Sequence, residues 1–184
     1  MLQRTKMYKE KIDSLSFQAV VSYLLFFTEK VNYENKILND RFVLELFEKC
    51  WECQNGEITS NVLYDEYSEN LSYITDDQQG RTQKESNLIN SILYMFYYLI
   101  WTMDGIERSE NPAKPFWGSE LGDIDDSFFE NSLELSLKCC DDTEHEIILR
   151  NTAWNYLTKI YPVSRVGIKG VILSKEYLQD ILES

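Results

Sequence analysis

Apolar positions recur every three or four residues along most of this chain, a spacing that places them on one side of a helix. The first helix is predicted over about residues 3–31, with a break near Asp13-Ser14. Phe17, Val20, Val21, Leu24, Phe27 and Val31 form its apolar stripe. A second follows an Asn39 cap, with Val43, Leu46, Phe47 and Cys50 facing inward and Gly56 placed as a C-terminal cap. Thr59 or Ser60 can cap a third, whose inner side carries Val62, Leu63, Tyr67, Leu71 and Ile74. Residues 76–80 then read as a polar loop.

A strongly apolar helix is predicted from Thr82 or Gln83 to Met103. Residues 104–125 hold Gly105, Pro112, Pro115, Gly118 and Gly122 and read as one long irregular connection, the kind that often carries function. Asp125 or Asp126 caps the next helix, which presents Phe128, Phe129, Leu133, Leu135 and Leu137. Another begins near Thr143 and ends before Pro162, with Ile147, Ile148, Ala153, Trp154, Leu157 and Ile160 on its buried side. Residues 163–173 include Gly167, Gly170 and the β-prone run Val171-Ile172-Leu173, which suits one short extended segment. Ser174 caps a last helix through Leu182.

Composition agrees with this pattern. A chain of 184 residues suits one domain, 1–184, and 14% aromatic content argues against general disorder. Seven Gly and three Pro are too few for the many tight turns of an all-β protein. The expected fold is an all-α, single-domain bundle of six to seven helices.

Two segments raise the question of a membrane. Arg4, Lys6, Lys9 and Lys11 precede the apolar run 15–27, but Glu10 and Asp13 intrude, Gln18 and Ser22 interrupt, and no small-residue cleavage site follows. An amphipathic first helix fits better than a secretory signal. Residues 88–103 are apolar but interrupted by Asn90 and Ser91, and are shorter than the roughly 20 residues a span needs. With no signal, the four cysteines are expected as reduced thiols in the cytoplasm.

Charge changes the picture most. Residues 40–146 carry 24 acidic and 7 basic side chains, while the two ends carry 7 and 11, and the whole chain has a net charge of −13. Such a surface repels nucleic acid and anionic membrane and steers basic partners toward itself.

Candidate chemistry is sparse. Cys50 and Cys53 have C-x-x-C spacing, but near the end of a helix, where the macrodipole disfavours a thiolate. Adjacent Cys139 and Cys140 diverge on a helix and make a poor second zinc pair. His145, the one histidine, reads as a solvent-facing residue in a first helical turn. Asp123, Asp125, Asp126, Glu130 and Glu134 form the densest acidic group. A calcium loop starting at Asp123 fails because its sixth position is Phe128, where glycine is needed. Tyr94, Tyr97 and Tyr98 are expected to pack. The reading is of a protein without enzymatic activity, metal or cofactor.

Trp51-Glu52 on the second helix, Leu63-Tyr64 early in the third and Trp154-x-x-Leu157 late in the chain give a pattern that resembles the sixth family of immunity proteins of bacterial polymorphic toxin systems. The resemblance implies an all-α cytoplasmic protein that binds and blocks a cognate toxin. Charge adds that the toxin is basic. The expected contact region is Glu107, Glu110, Trp117, Glu120, Asp123, Asp125, Asp126 and Glu130, with Trp117 as an anchor in an acidic rim. The rival expectation is an acidic helical adaptor or scaffold, homodimeric through its aromatic-rich helices.

Overall fold

The computed structural model describes residues 15–38, 41–76, 80–114, 123–140, 142–160 and 174–183; for 72–76, 126 and 181–183 only the backbone is described. These residues form an all-α bundle: α1 (Phe17–Asn35), α2 (Arg41–Gln54), α3 (Ser60–Asp76), α4 (Gln83–Glu110), α5 (Asp126–Leu137), α6 (Thr143–Ile160) and α7 (Lys175–Glu183). No strand occurs among the described residues, and the 163–173 segment expected to be extended lies outside them. Among the same residues no helix is long and apolar enough to cross a membrane.

The helix ends follow from local chemistry. Ser16 caps α1 by accepting from Ala19 N at 3.2 Å. Thr82 and Glu85 form a reciprocal capping box at the start of α4, and Asp125 caps α5. Asp142 accepts from His145 N at 2.8 Å to open α6, and Ser174 accepts from Tyr177 N at 3.3 Å to open α7. Gly56, at φ 77°, closes α2 with paired bonds: Glu57 N to Glu52 O at 2.8 Å and Gly56 N to Cys53 O at 3.0 Å. That is the left-handed closure that favours glycine.

α1 runs four residues past the expected Val31 and closes the same way at Lys36, whose φ is 49°. It also differs from the single apolar stripe read in the sequence: residues 18–28 are buried all round. α1 and α4 together form the centre. Phe17 meets Trp101 at one end, and Thr28 meets Ser136 at the other, where Ser136 also touches Ser91. The two helices are therefore antiparallel. α5 runs parallel to α1, meeting it through Tyr23 against Phe129 and Thr28 against Ser136, and α6 joins α1 through the Tyr23 hydroxyl on Ala153 O at 3.1 Å. Outside, Arg150 binds both Glu134 oxygens at 3.1 Å and links α6 to α5.

Three expectations are corrected. α4 does not end at Met103 but continues to Glu110, so Gly105 lies inside a helix, exposed and with no atom within 4 Å of where a Cβ would stand. Ile147 and Ile148 are 51% and 55% exposed, because the buried side of α6 follows Leu149, Ala153, Tyr156 and Ile160 and leaves them off it. Val62 is likewise exposed, off the Ser60–Leu63–Tyr67–Leu71 face of α3.

Candidate binding surface

α2 and α3 are adjacent amphipathic helices whose inner sides enter the core. Their outer sides carry Glu45 and Glu48, and Asp65, Glu66 and Glu69, all exposed, with Glu52 half-buried. Lys49 pairs with Glu52 at 2.6 Å. Its ammonium is raised above the usual lysine range by that hydrogen bond first, then by the charges of Glu52, Glu66 and Glu45. The charges of three acids on two helices thus act on one cation.

Apolar groups adjoin them. Leu44 is 45% exposed, and the half-buried Phe42 ring lies 5.7 Å from that of Tyr67. The Tyr67 hydroxyl donates to Glu45 Oε1 at 3.1 Å. Burial, reinforced by this bond to a carboxylate, pushes the Tyr67 phenol up to about 12. Sequence reasoning missed this face, although the signal was present: acids at 45, 48 and 52 and at 65 or 66 and 69 recur at helical spacing.

The residues singled out in the sequence are dispersed. Glu110 is exposed at the end of α4, and Asp123, Asp125 and Glu130 are exposed around the start of α5. Asp126 begins α5, and its side chain is outside the described set, as are Trp117 and Glu120. Tyr98 packs against Phe129. At 1.5 Å per residue, Glu110 lies roughly 18 Å beyond Tyr98, whereas Asp125 lies about 6 Å beyond Phe129 toward the same end. Asp125 accepts from Ser127 N at 2.8 Å, and hydrogen bonds from Ser127, side chain first, hold its carboxyl below the usual range.

Glu107 is engaged inside the protein. It accepts from Ser60 N at 2.8 Å and Ser60 Oγ at 3.0 Å, and it pairs with Lys114. Lys114 also reaches Asp104 Oδ1 at 2.9 Å and Ser60 Oγ at 3.0 Å, while Arg108 lies 2.7 Å from Asp104 Oδ2. The Asp104 side chain is 1% exposed.

The thiols are poor nucleophiles. Cys50, Cys53 and Cys139 are buried. Burial raises Cys50 well above the ordinary thiol range and pushes Cys53 and Cys139 to about 12. No group of three or more His, Cys, Asp or Glu among the described residues is arranged to hold a metal. His145, expected to face solvent, is half-buried in the first turn of α6. A shallow depression on α6, lined by Thr152, Asn155, Tyr156, Thr158 and Lys159, offers no carboxylate, thiol or imidazole.

Comparison of the chain with protein-family models, curated proteins and solved structures finds no match.

Proposed function

We propose that this chain is a binding protein that occludes a basic protein partner, in the manner of the toxin immunity proteins it resembles. The observation that carries the reading is the α2–α3 face, where exposed Glu45, Glu48, Asp65, Glu66 and Glu69 stand on two adjacent helices beside exposed Leu44. Negative potential there accelerates encounter with a cationic surface, and the adjoining apolar groups supply the short-range contact that slows release. Inhibition needs no chemistry from this chain. Covering an anion-binding surface of a basic toxin is enough.

Of the contact set expected from sequence (Glu107, Glu110, Trp117, Glu120, Asp123, Asp125, Asp126 and Glu130), Glu110, Asp123, Asp125 and Glu130 are exposed acids and form the alternative contact. We favour α2–α3 because Asp125 is committed to capping and Glu107 to an internal ion cluster.

One observation favours the adaptor reading. The outer side of α6 presents Ile147, Ile148, Asn151, Asn155 and Thr158, an exposed stretch of uncharged residues between Glu144 and Lys159 on a chain of net charge −13. It is the surface that would tolerate a second copy. The test is to purify tagged protein from the producing cells at low and at high salt, identify what accompanies it, and assay that partner's activity with and without the chain. Stoichiometric recovery of a basic domain whose activity is blocked supports immunity. Recovery of the protein alone, as a dimer, transfers the case to the adaptor.

A further inference from the structure

Between the end of α4 and the start of α3 lies a cluster that the binding surface does not use. Asp104 Oδ1, Glu107 Oε2 and Ser60 Oγ converge on one ammonium group, that of Lys114, whose side chain is 14% exposed. A lysine ammonium has three donors, and it finds three acceptors here. The acceptors are held independently of it. Ser60 N and Oγ fix the Glu107 carboxylate, and Arg108 lies against the far oxygen of Asp104. Asp104, Glu107 and Ser60 themselves stand on helices.

We infer that this junction is a preorganised receptor for a primary ammonium ion, occupied in cis by Lys114, which straps residues 111–114 to the bundle. Lys114 is ten residues from Asp104 and seven from Glu107, and only the short turn 111–114 separates it from α4. Its effective concentration at the cradle is therefore high, and free amines cannot compete in the intact protein. Removing the side chain leaves two carboxylates and a hydroxyl around a vacated volume. A quaternary ammonium has no donors to offer these acceptors.

The test is chemical rescue of Lys114→Ala, with Lys114→Met as its control. Removing the cation that the Asp104 and Glu107 carboxylates share lowers the melting temperature of either variant by about 5–10 °C. Methylammonium chloride at tens of millimolar restores a substantial part of that loss in Lys114→Ala. Equal concentrations of sodium or tetramethylammonium chloride do not. Lys114→Met keeps the aliphatic stem in the volume the amine must enter, so it is not rescued, and the wild type is unaffected. Equal responses of the two variants, or equal rescue by sodium chloride, overturn the inference. If Lys114→Ala does not fold, the wild type decides. Its Lys114 ammonium protons, enclosed by three acceptors, should give a slowly exchanging 15N signal at low temperature. An exchange rate matching that of an exposed lysine overturns it.

Discussion

Ser91 and Ser132 bind each other reciprocally: each hydroxyl donates to the other's backbone carbonyl at 2.8 Å across α4 and α5. With its proton committed, Ser91 Oγ accepts from Ser136 at 2.6 Å, and Ser136 in turn accepts from Thr28 of α1 at 3.4 Å. The three serines are completely buried. Small side chains let the helices approach, and their hydroxyls satisfy one another without water.

Ser91→Ala should therefore destabilise the protein by about 1–2 kcal/mol, because it orphans buried partners. Ser91→Leu should cost more by forcing α4 and α5 apart. Urea midpoints measure both. The double variant Ser91→Ala/Ser132→Ala should lose less than the two single losses together, since each single change strands a group that the pair removes. Strict additivity would mean the clasp carries no coupling energy.

Lys36 holds a left-handed conformation at φ 49° that side chains with a Cβ resist. Lys36→Gly relieves this at the end of α1 and should stabilise the protein by roughly 0.5–1 kcal/mol. Thermal unfolding would show a small upward shift, and a fall would mean the lysine stem contributes packing that outweighs the strain.

Glu29 joins three helices. It accepts from the Trp51 indole of α2 at 2.9 Å and pairs with Lys175 of α7. Among the described side chains of α7, Leu178 is buried, and this pairing adds a polar tie to α1. Lys175→Ala should accelerate amide exchange in α7 several-fold while leaving α4 unchanged, which separates local release from global destabilisation. Uniform acceleration across the bundle would show that α7 opens only with the rest.

Stability should decline in mild alkali. Cys53 and Cys139 titrate near 12 in the folded chain against an ordinary value of 9.0, and Tyr67 near 12 against 10.0. Each native value is raised, so the unfolded chain releases protons first as pH climbs. The associated stability is fully present below pH 9 and is lost between about 9 and 12. Urea midpoints at pH 8 and pH 10.5 test the sign. Under native conditions half-buried Cys140 should react first with an aromatic disulfide reagent, and the three buried thiols only on unfolding.

Much of the bundle was legible because caps and periodicity agree. Ser174, Thr82, Asp125 and Gly56 mark boundaries by hydrogen bonds that depend on nearby residues alone. The misread features depend on tertiary context. A glycine at 105 signals a break only if its backbone must turn; here it stays helical at a cost of about 1 kcal/mol that packing on either side outweighs. Ile147 and Ile148 read as core by hydropathy, yet Leu149, Ala153, Tyr156 and Ile160 already define the buried side. Glu107 read as surface charge because nothing local reveals that Lys114 and Ser60 close over it. The α2–α3 face needed two helices to be set side by side before its acids became one surface.

Choosing between the two acidic surfaces requires substitutions that spare the fold. Glu45 is unsuitable because Tyr67 depends on it, and Asp125 because it caps α5. Glu48, Glu66 and Glu69 are exposed with no ion-pair partner among the described residues, and so are Asp123 and Glu130. We therefore compare Glu48→Lys/Glu66→Lys/Glu69→Lys with Asp123→Lys/Glu130→Lys, using the basic partner recovered from producing cells and stopped-flow association at low ionic strength. If α2–α3 is the contact, the triple variant should slow association by an order of magnitude or more, with a flatter salt dependence, while the pair changes it only as far as net charge requires. Distance explains the asymmetry: at about 0.1 M salt a charge is screened over roughly 10 Å, so only charges near the interface retain their leverage as salt rises. A larger effect from Asp123 and Glu130 at that salt would move the contact to the start of α5. Equal, fully screened effects from both sets would leave charge as a general attractor and place binding elsewhere, such as the Ile147–Ile148 side of α6.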